Sequence, residues 1–348
     1  MSLLSYSGIA TKVKAMRGRL ISENQFHEMA ALETVRGAVD YLQKQPSYSE
    51  IFSHIDETRL HRSDIEKLLI FSKYQDYTRL YKFANLSQRK FLDLYFMHYE
   101  IAIIKRCLRN IMGHQKTNLD LSLYRDFFDR HSQIDLIRLS ETESLDEFIS
   151  ELSGSIYYDL INDLTDHASL ASVFDYEMRL DLLYFKTMWK AIMKGTGKTK
   201  RRFVTSIYGC RLDLLNIQWI YRSIKYYSLA PEQIKELLIP FHYKLKPEQI
   251  QAMTQCASED EFFSVLEATY YHKISAGQLT SQPDVEYLYT QILDRIYRSN
   301  SRKHPYTIAV IDAYLYFKES EQRKLITVIE GIRYGLNPND IIKLVAKT

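Results

Sequence analysis

An all-α protein is what this sequence predicts, on three observations. Glycine and proline are scarce, 11 and 7 among 348 residues, where ordinary usage is about 7% and 5%. Apolar residues return every three or four positions, and no segment alternates with period two. The 184 residues between Pro46 and Pro231 hold no proline at all. Glycine supplies positive φ and proline breaks helices, so a chain poor in both has few tight turns and long unbroken helices. These features exclude an all-β sandwich, a collagen-like chain and a Pro/Gly linker protein. A hydrophobic fraction of 46% with 13% aromatics excludes a disordered chain. The length invites a division into two or three units.

The elements follow in order. After short N-terminal helices, a first long helical pair is predicted over about 58–84 and 88–112. Its second member carries Phe91, Leu94, Tyr95, Ile101, Ile104, Leu108 and Ile111 at helical spacing, and Gly113 stands where a helix C-cap is wanted. A second pair is predicted over 173–194 and 203–227, and a third over 284–299 and 306–334. Three helix starts share the phrase Leu-x-Pro-x-x-Ile: Leu229 to Ile234, Leu245 to Ile250, and Leu336 to Ile341. Proline suits the first helical position because its missing N–H costs nothing there, and the acidic residues after it oppose the positive end of the helix dipole.

A repeat precedes each long pair. Asp146-Glu-Phe-Ile-Ser-Glu-Leu152 and on to Tyr157 matches Asp260-Glu-Phe-Phe-Ser-Val-Leu266 and on to Tyr271, at a constant offset of 114 residues. A gapped third copy lies at Val35 to Tyr48, with Leu42 and Tyr48 in the places of Leu152 and Tyr157. The period is far longer than that of a solenoid and reads as triplication of a small domain. The expected lobes are residues 1–112, 113–228 and 229–348.

Charge and cysteine usage narrow the function classes. Lys+Arg 46 against Asp+Glu 43 is no dedicated nucleic-acid binder. Cys107, Cys210 and Cys256 are odd in number and far apart, which suits a reducing compartment and argues against a disulfide framework or a thiolate metal site. Residues 1–11 lack charge but also lack cations ahead of an apolar core, so they are read as neither signal peptide nor membrane span.

Candidate chemistry is thin. Gly195-Thr-Gly197-Lys198-Thr199 ends like a phosphate-binding loop, but the first glycine such a loop needs is Ile192, and the approach from Leu180 is helical rather than a strand. It is read as a basic turn between two long helices. Lys190, Lys194, Lys198, Lys200, Arg201 and Arg202 around it are read as a solvated loop or a docking face for an acidic partner. Trp219, Tyr221, Tyr226 and Tyr227 could stack on bases. Among Leu212, Leu215, Ile217, Ile220 and Ile224 they are read instead as core of a central helix, with Asn216 a hydrogen-bonded core amide. No metal-ligand histidine spacing and no Gly-x-Ser-x-Gly elbow is present. No catalytic, cofactor-binding or metal-ligating residue is assigned.

Three stretches together resemble the C subunit of bacterial and archaeal V-type (A-type) ATPases and ATP synthases, whose eukaryotic V-ATPase counterpart is the d subunit. They are Tyr6-Ser-Gly-Ile-Ala-Thr-Lys-Val-Lys-Ala-Met-Arg-Gly-Arg-Leu20; Asp213-Leu-Leu-Asn216-Ile-Gln-Trp-Ile-Tyr-Arg222 running through Leu229-Ala-Pro-Glu-Gln-Ile to Leu238-Ile-Pro240; and Phe317-Lys-Glu319-Ser-Glu-Gln-Arg-Lys-Leu-Ile-Thr-Val-Ile-Glu-Gly331 followed by Tyr334-Gly-Leu-Asn-Pro-Asn-Asp-Ile341. Order and spacing carry the likeness along the whole chain. One departure is Phe241-His242 after Leu-Ile-Pro, where relatives tend to have glycine. The resemblance implies three helical lobes about a pseudo-threefold axis, forming a funnel. It implies a non-catalytic rotor part on the cytoplasmic face of the membrane ring, without a membrane span. Its partners would be the central shaft and the ring that moves protons or sodium ions, with no cofactor, no nucleic acid and no direct small-molecule ligand. The alternative class is a helical scaffold binding RNA or protein.

Overall fold

Every regular element that the computed structural model places is a helix. It describes residues 4–53, 61–113, 119–166, 172–195, 198–227, 229–274 and 285–348, and among these no strand is formed. In order they are α1 (Leu4–Arg17), α2 (Glu23–Ala30), α3 (Val35–Gln43), α4 (Ser49–Phe52), α5 (Arg62–Phe83), α6 (Leu86–Met112), α7 (Arg125–His131), α8 (Leu136–Glu141), α9 (Leu145–Glu151), α10 (Tyr158–Asp166), α11 (Val173–Gly195), α12 (Lys198–Arg222), α13 (Pro231–Leu237), α14 (Pro247–Thr254), α15 (Glu259–Glu267), α16 (Tyr270–Ile274), α17 (Val285–Lys303), α18 (Ile308–Arg333) and α19 (Pro338–Lys347). The six long helices stand where periodicity puts them, within a few residues, although the predicted start of the first at residues 58–60 lies outside the described residues.

The punctuation is local chemistry. Pro231, Pro247 and Pro338 each open a helix. Asn85 and Ser22 close capping boxes with Gln88 and Gln25, which satisfies backbone N–H groups that have no partner within the helix. Gly113 ends α6 as expected, its N–H bonded to the Arg109 carbonyl at 2.9 Å, but at φ −85° rather than in a left-handed turn.

The three repeat copies begin with one cap. The hydroxyls of Thr34, Ser144 and Ser258 accept from the N–H three residues on, at 3.0, 3.2 and 3.2 Å. Leu42, Leu152 and Leu266, and then Tyr48, Tyr157 and Tyr271, are all buried. The gapped first copy thus shares this cap and these two buried positions with the other two. The copies part after the leucine: Gly154 turns left-handed at φ +76°, whereas Ala268 continues as an ordinary helical cap. Only glycine enters that region freely, so the Gly/Ala exchange between copies changes the backbone.

The chain divides into two units. Unit 1 comprises residues 1–73 and 195–348, and unit 2 residues 74–194, the first division falling inside α5. In unit 1 the N-terminal helices pack on the C-terminal ones. Phe26, Met29, Val39, Leu42, Tyr48 and Phe52 form one core with Leu325, Val328, Ile329 and Ile341. α18 runs through it, buried along most of its length. In unit 2, Tyr74 stacks on Phe127 at 4.3 Å, and Phe96, Tyr99 and Phe128 crowd the same aromatic core. Tyr77, buried there, donates its hydroxyl to the Leu92 carbonyl at 2.7 Å.

Close packing of α18 on α19 yields a test. A Cβ on Gly331 would lie 2.7 Å from Cγ1 of Ile341. Gly331→Ala is expected to cost about 1–3 kcal/mol by overpacking, read as a lower thermal midpoint. Ile341→Ala added to it should cost less than the two single changes together, because it removes the Cγ1 and Cδ1 that crowd the new methyl group.

Candidate functional site: three tyrosine–carboxylate locks

The buried tyrosines of the repeat each reach a carboxylate on a long helix. Tyr157 donates to Oε2 of Glu100 on α6 at 2.8 Å, Tyr271 to Oδ2 of Asp213 on α12 at 2.6 Å, and Tyr48 to Oε2 of Glu321 on α18 at 2.7 Å. The acceptor is in each case on the second helix of a long pair. The assignment is permuted by one: the second copy bonds the first pair, the third copy the second, and the first copy the third.

Other donors complete each centre. Glu100 also accepts from the Ser132 hydroxyl at 2.7 Å. Asp213 takes the backbone N–H groups of Tyr243, Lys244 and Leu245 at 2.8, 2.6 and 3.0 Å, so one side chain organises the turn between α13 and α14. Glu321 takes the N–H of Ile21 at 2.6 Å and the ammonium of Lys318 at 2.7 Å. Lys318 is fully buried, 2.9 Å from the Tyr48 hydroxyl and 4.4 Å from its ring centroid. Burial pushes the Glu100 and Asp213 carboxyls above the usual carboxylate range, and the hydrogen bonds they accept pull the other way. A carboxylate saturated in this manner is a fastener rather than an acid or base. Each lock ties a short-helix segment to a long helix.

α18 carries two further buried charges. Asp312, 1% exposed, accepts from Tyr208 at 3.2 Å, and burial raises its carboxyl to about 7 against the pull of Arg211. Glu319 faces Lys73, whose ammonium is held below its ordinary value chiefly by burial. In unit 2, Lys105 with Asp181 at 2.6 Å and Arg109 with Glu177 at 2.5 Å tie α6 to α11.

The residues singled out from sequence sort cleanly. Asn216 is buried, its amide bonded in both senses to the backbone of Ile239, at 3.1 and 3.0 Å. Trp219 and Tyr221 are core, as expected. Tyr226 and Tyr227 are not: they are 66% and 49% exposed, because α12 gives way to a π-turn at Ser223–Tyr227 that swings them outward. The phosphate-loop lookalike is flanked by helix on both sides, α11 before and α12 after, so the strand it would need is missing; Thr196 and Gly197 lie outside the described residues. So do the side chains of Lys198, Lys200, Arg201 and Arg202, while Lys190 and Lys194 are exposed. The turn at Phe241 bonds its N–H to the Ile239 carbonyl at 2.7 Å. Among the described residues no group of His, Cys, Asp and Glu could hold a metal ion, and no helix is long and apolar enough to cross a membrane. Sequence reasoning missed Glu100, Asp213 and Glu321 as a set. The signal available was their distance to the next repeat tyrosine, 57 residues for Glu100 and 58 for Asp213.

Comparison with known proteins agrees over nearly the whole chain. The family described as ATP synthase (C/AC39) subunit matches residues 9–344. The C subunit of the A-type ATP synthase of Pyrococcus abyssi is 24% identical, with 98% of this chain and 90% of that protein covered. The proteins of the same name from Thermococcus kodakarensis and Methanosphaera stadtmanae are 23% and 22% identical, covering 98% and 99% of this chain and 90% and 88% of theirs.

Two outcomes test the buried polar groups. Tyr157→Phe and Tyr271→Phe should each cost about 1.5–3 kcal/mol, the worth of a hydrogen bond to a charged group, measured as a lowered unfolding midpoint. Asp312 holds its proton more tightly folded than unfolded, so its contribution to stability falls as pH rises from about 4 through about 7 and then levels. Asp312→Asn should therefore raise the midpoint relative to the parent more at pH 8 than at pH 5, the gap between the two pH values being worth roughly 1–3 kcal/mol.

Proposed function

We propose, from the premise that the chain belongs to the ATP synthase (C/AC39) subunit family, that it is the coupling piece between the rotating shaft and the membrane ring of a rotary ATPase. It is a non-catalytic part of that machine. The observation that carries this reading is the family match along residues 9–344. The buried carboxylates support it in kind, since every one described above is engaged with partners inside the protein.

In this reading the chain forms three lobes, residues 1–112, 113–228 and 229–348, about a pseudo-threefold axis. Each lobe's tyrosine locks onto the long helix of the lobe before it, cyclically. A part that passes torque between a narrow shaft and a wide ring must not yield between lobes, and interlocked lobes resist shear better than lobes joined only by linkers. Long unbroken helices supply stiffness along each lobe. The piece sits on the cytoplasmic face of the membrane, bound to the ring without entering the bilayer.

Affinity purification of the tagged chain from native membranes tests the coupling role. Shaft and membrane-ring components of a rotary ATPase are expected among the co-purifying chains. Recovery of the chain with RNA that resists high salt, and without those components, would replace this reading by a scaffold. The shape has its own measurement: an open three-lobed molecule should exceed the radius of gyration of roughly 20 Å expected for a compact chain of this length.

A further inference from the structure

A cleft in unit 1 has a composition that the locks do not explain. It runs between the end of α1 with α2 and the facing sides of α17, α18 and α19, and its volume is about 1360 Å³. Pockets for small molecules run from about 300 to 1,000 Å³. A helix with its side chains is about 10 Å across and rises about 5.4 Å per turn, so the cleft has room for about three turns.

Its lining is predominantly basic: Arg17, Arg295, Arg298, Arg302, Lys303 and Lys324. The acids there are Glu23, Asp294 and Glu321. Glu321 is taken by Tyr48, Ile21 and Lys318, and Asp294 by the Tyr316 hydroxyl at 2.8 Å and Arg298 at 3.9 Å. The guanidinium carbons of Arg17 and Arg298 both lie over the Phe317 ring, 4.9 and 5.1 Å from its centroid. Burial, with the like charges of Arg298 and Arg302, holds Arg17 below its ordinary value. Cations have been gathered into one another's field, while Glu321 is committed to Tyr48, Ile21 and Lys318 and Asp294 is shared between Tyr316 and Arg298. Phe26, Ile342 and Val345 line the same space and add an apolar component.

We propose that this cleft docks a helical segment of a partner polypeptide that presents carboxylates along one side and apolar residues along the other. Arginine forks bind carboxylates with two parallel hydrogen bonds, which fixes orientation as well as charge. A lone phosphate would engage the arginines yet leave most of the volume and the apolar residues unused. Single-stranded RNA needs open aromatic faces, and the Phe317 ring is already covered by guanidinium groups. The proposal goes beyond the rotor reading: it concerns the chemistry of one cleft and holds whichever chain supplies the helix.

The test uses the purified full chain and a labelled helical peptide with glutamate on one side and leucine on the other. Its counterpart, with every glutamate changed to glutamine, serves as the comparison. Fluorescence anisotropy should show the glutamate peptide binding, and affinity should fall by roughly tenfold or more from low to high salt. Arg298→Glu with Arg302→Glu should weaken it by a further factor of roughly ten, at an unchanged thermal midpoint because both side chains are exposed. If the double variant lowers the midpoint, Arg302→Gln alone gives the same reading with a smaller drop. Equal binding by the glutamine peptide, or unchanged affinity in the variants, overturns the proposal. So does inorganic tripolyphosphate that binds the chain where the glutamate peptide does not. Co-purification with rotary ATPase components is read separately, so either idea can fail while the other stands.

Discussion

A carboxylate taken out of water has to be given donors, and at Glu100, Asp213 and Glu321 this chain meets that demand with the repeat's tyrosine. Everything around each lock is arranged to deliver a tyrosine hydroxyl to Glu100, Asp213 or Glu321. The Ser or Thr cap starts the short helix, the leucine anchors it in the core, and the turn after it points the tyrosine inward. An unmet buried carboxylate costs far more than a met one returns. The lock is therefore a strong constraint on where the short helices sit, and only a modest source of stability.

The three centres solve their remaining valences differently, and the differences follow from what lies nearby. Asp213 has a turn beside it and takes three backbone N–H groups. Glu100 has Ser132. Glu321 has one backbone donor, Ile21, and the shortfall is made up by a buried ammonium from the same helix. Lys318 is then obliged to Tyr48 in turn, through the hydroxyl and through the ring. Removing one member of a buried pair leaves the other charge uncompensated, so this third centre is the least tolerant of change.

Much of this was legible in the sequence, and the illegible part has a physical reason. Helix positions followed from spacing, helix starts from Pro231, Pro247 and Pro338, the match of Tyr157 to Tyr271 from a constant offset, and that of Tyr48 from a gapped copy. The carboxylates were not legible as a set, because an acid on a helix rich in charge looks the same whether its face meets solvent or core. Burial is decided by which segment folds over it, and that segment is 57 residues away or more. Tyr226 and Tyr227 misled for a related reason. Helical phase predicts which way a side chain points only while the helix keeps its pitch, and at Ser223 the pitch changes. The basic cleft was equally hidden, since its arginines come from both ends of the sequence.

The permuted pairing also sets a timetable. Glu100 and Asp213 find their tyrosines 57 and 58 residues later, so those contacts can close soon after both partners leave the ribosome. Tyr48 and Glu321 are 273 residues apart. The N-terminal helices, with Phe26, Leu42, Tyr48 and Phe52, are made early and wait without their core until α18 and α19 are synthesised. Loop closure over that span is slow and waiting apolar surface is prone to wrong partners. The feature that joins these N-terminal helices to α18 and α19 thus makes helices synthesised early among the last to be buried, and leaves that stretch most in need of protection during biosynthesis.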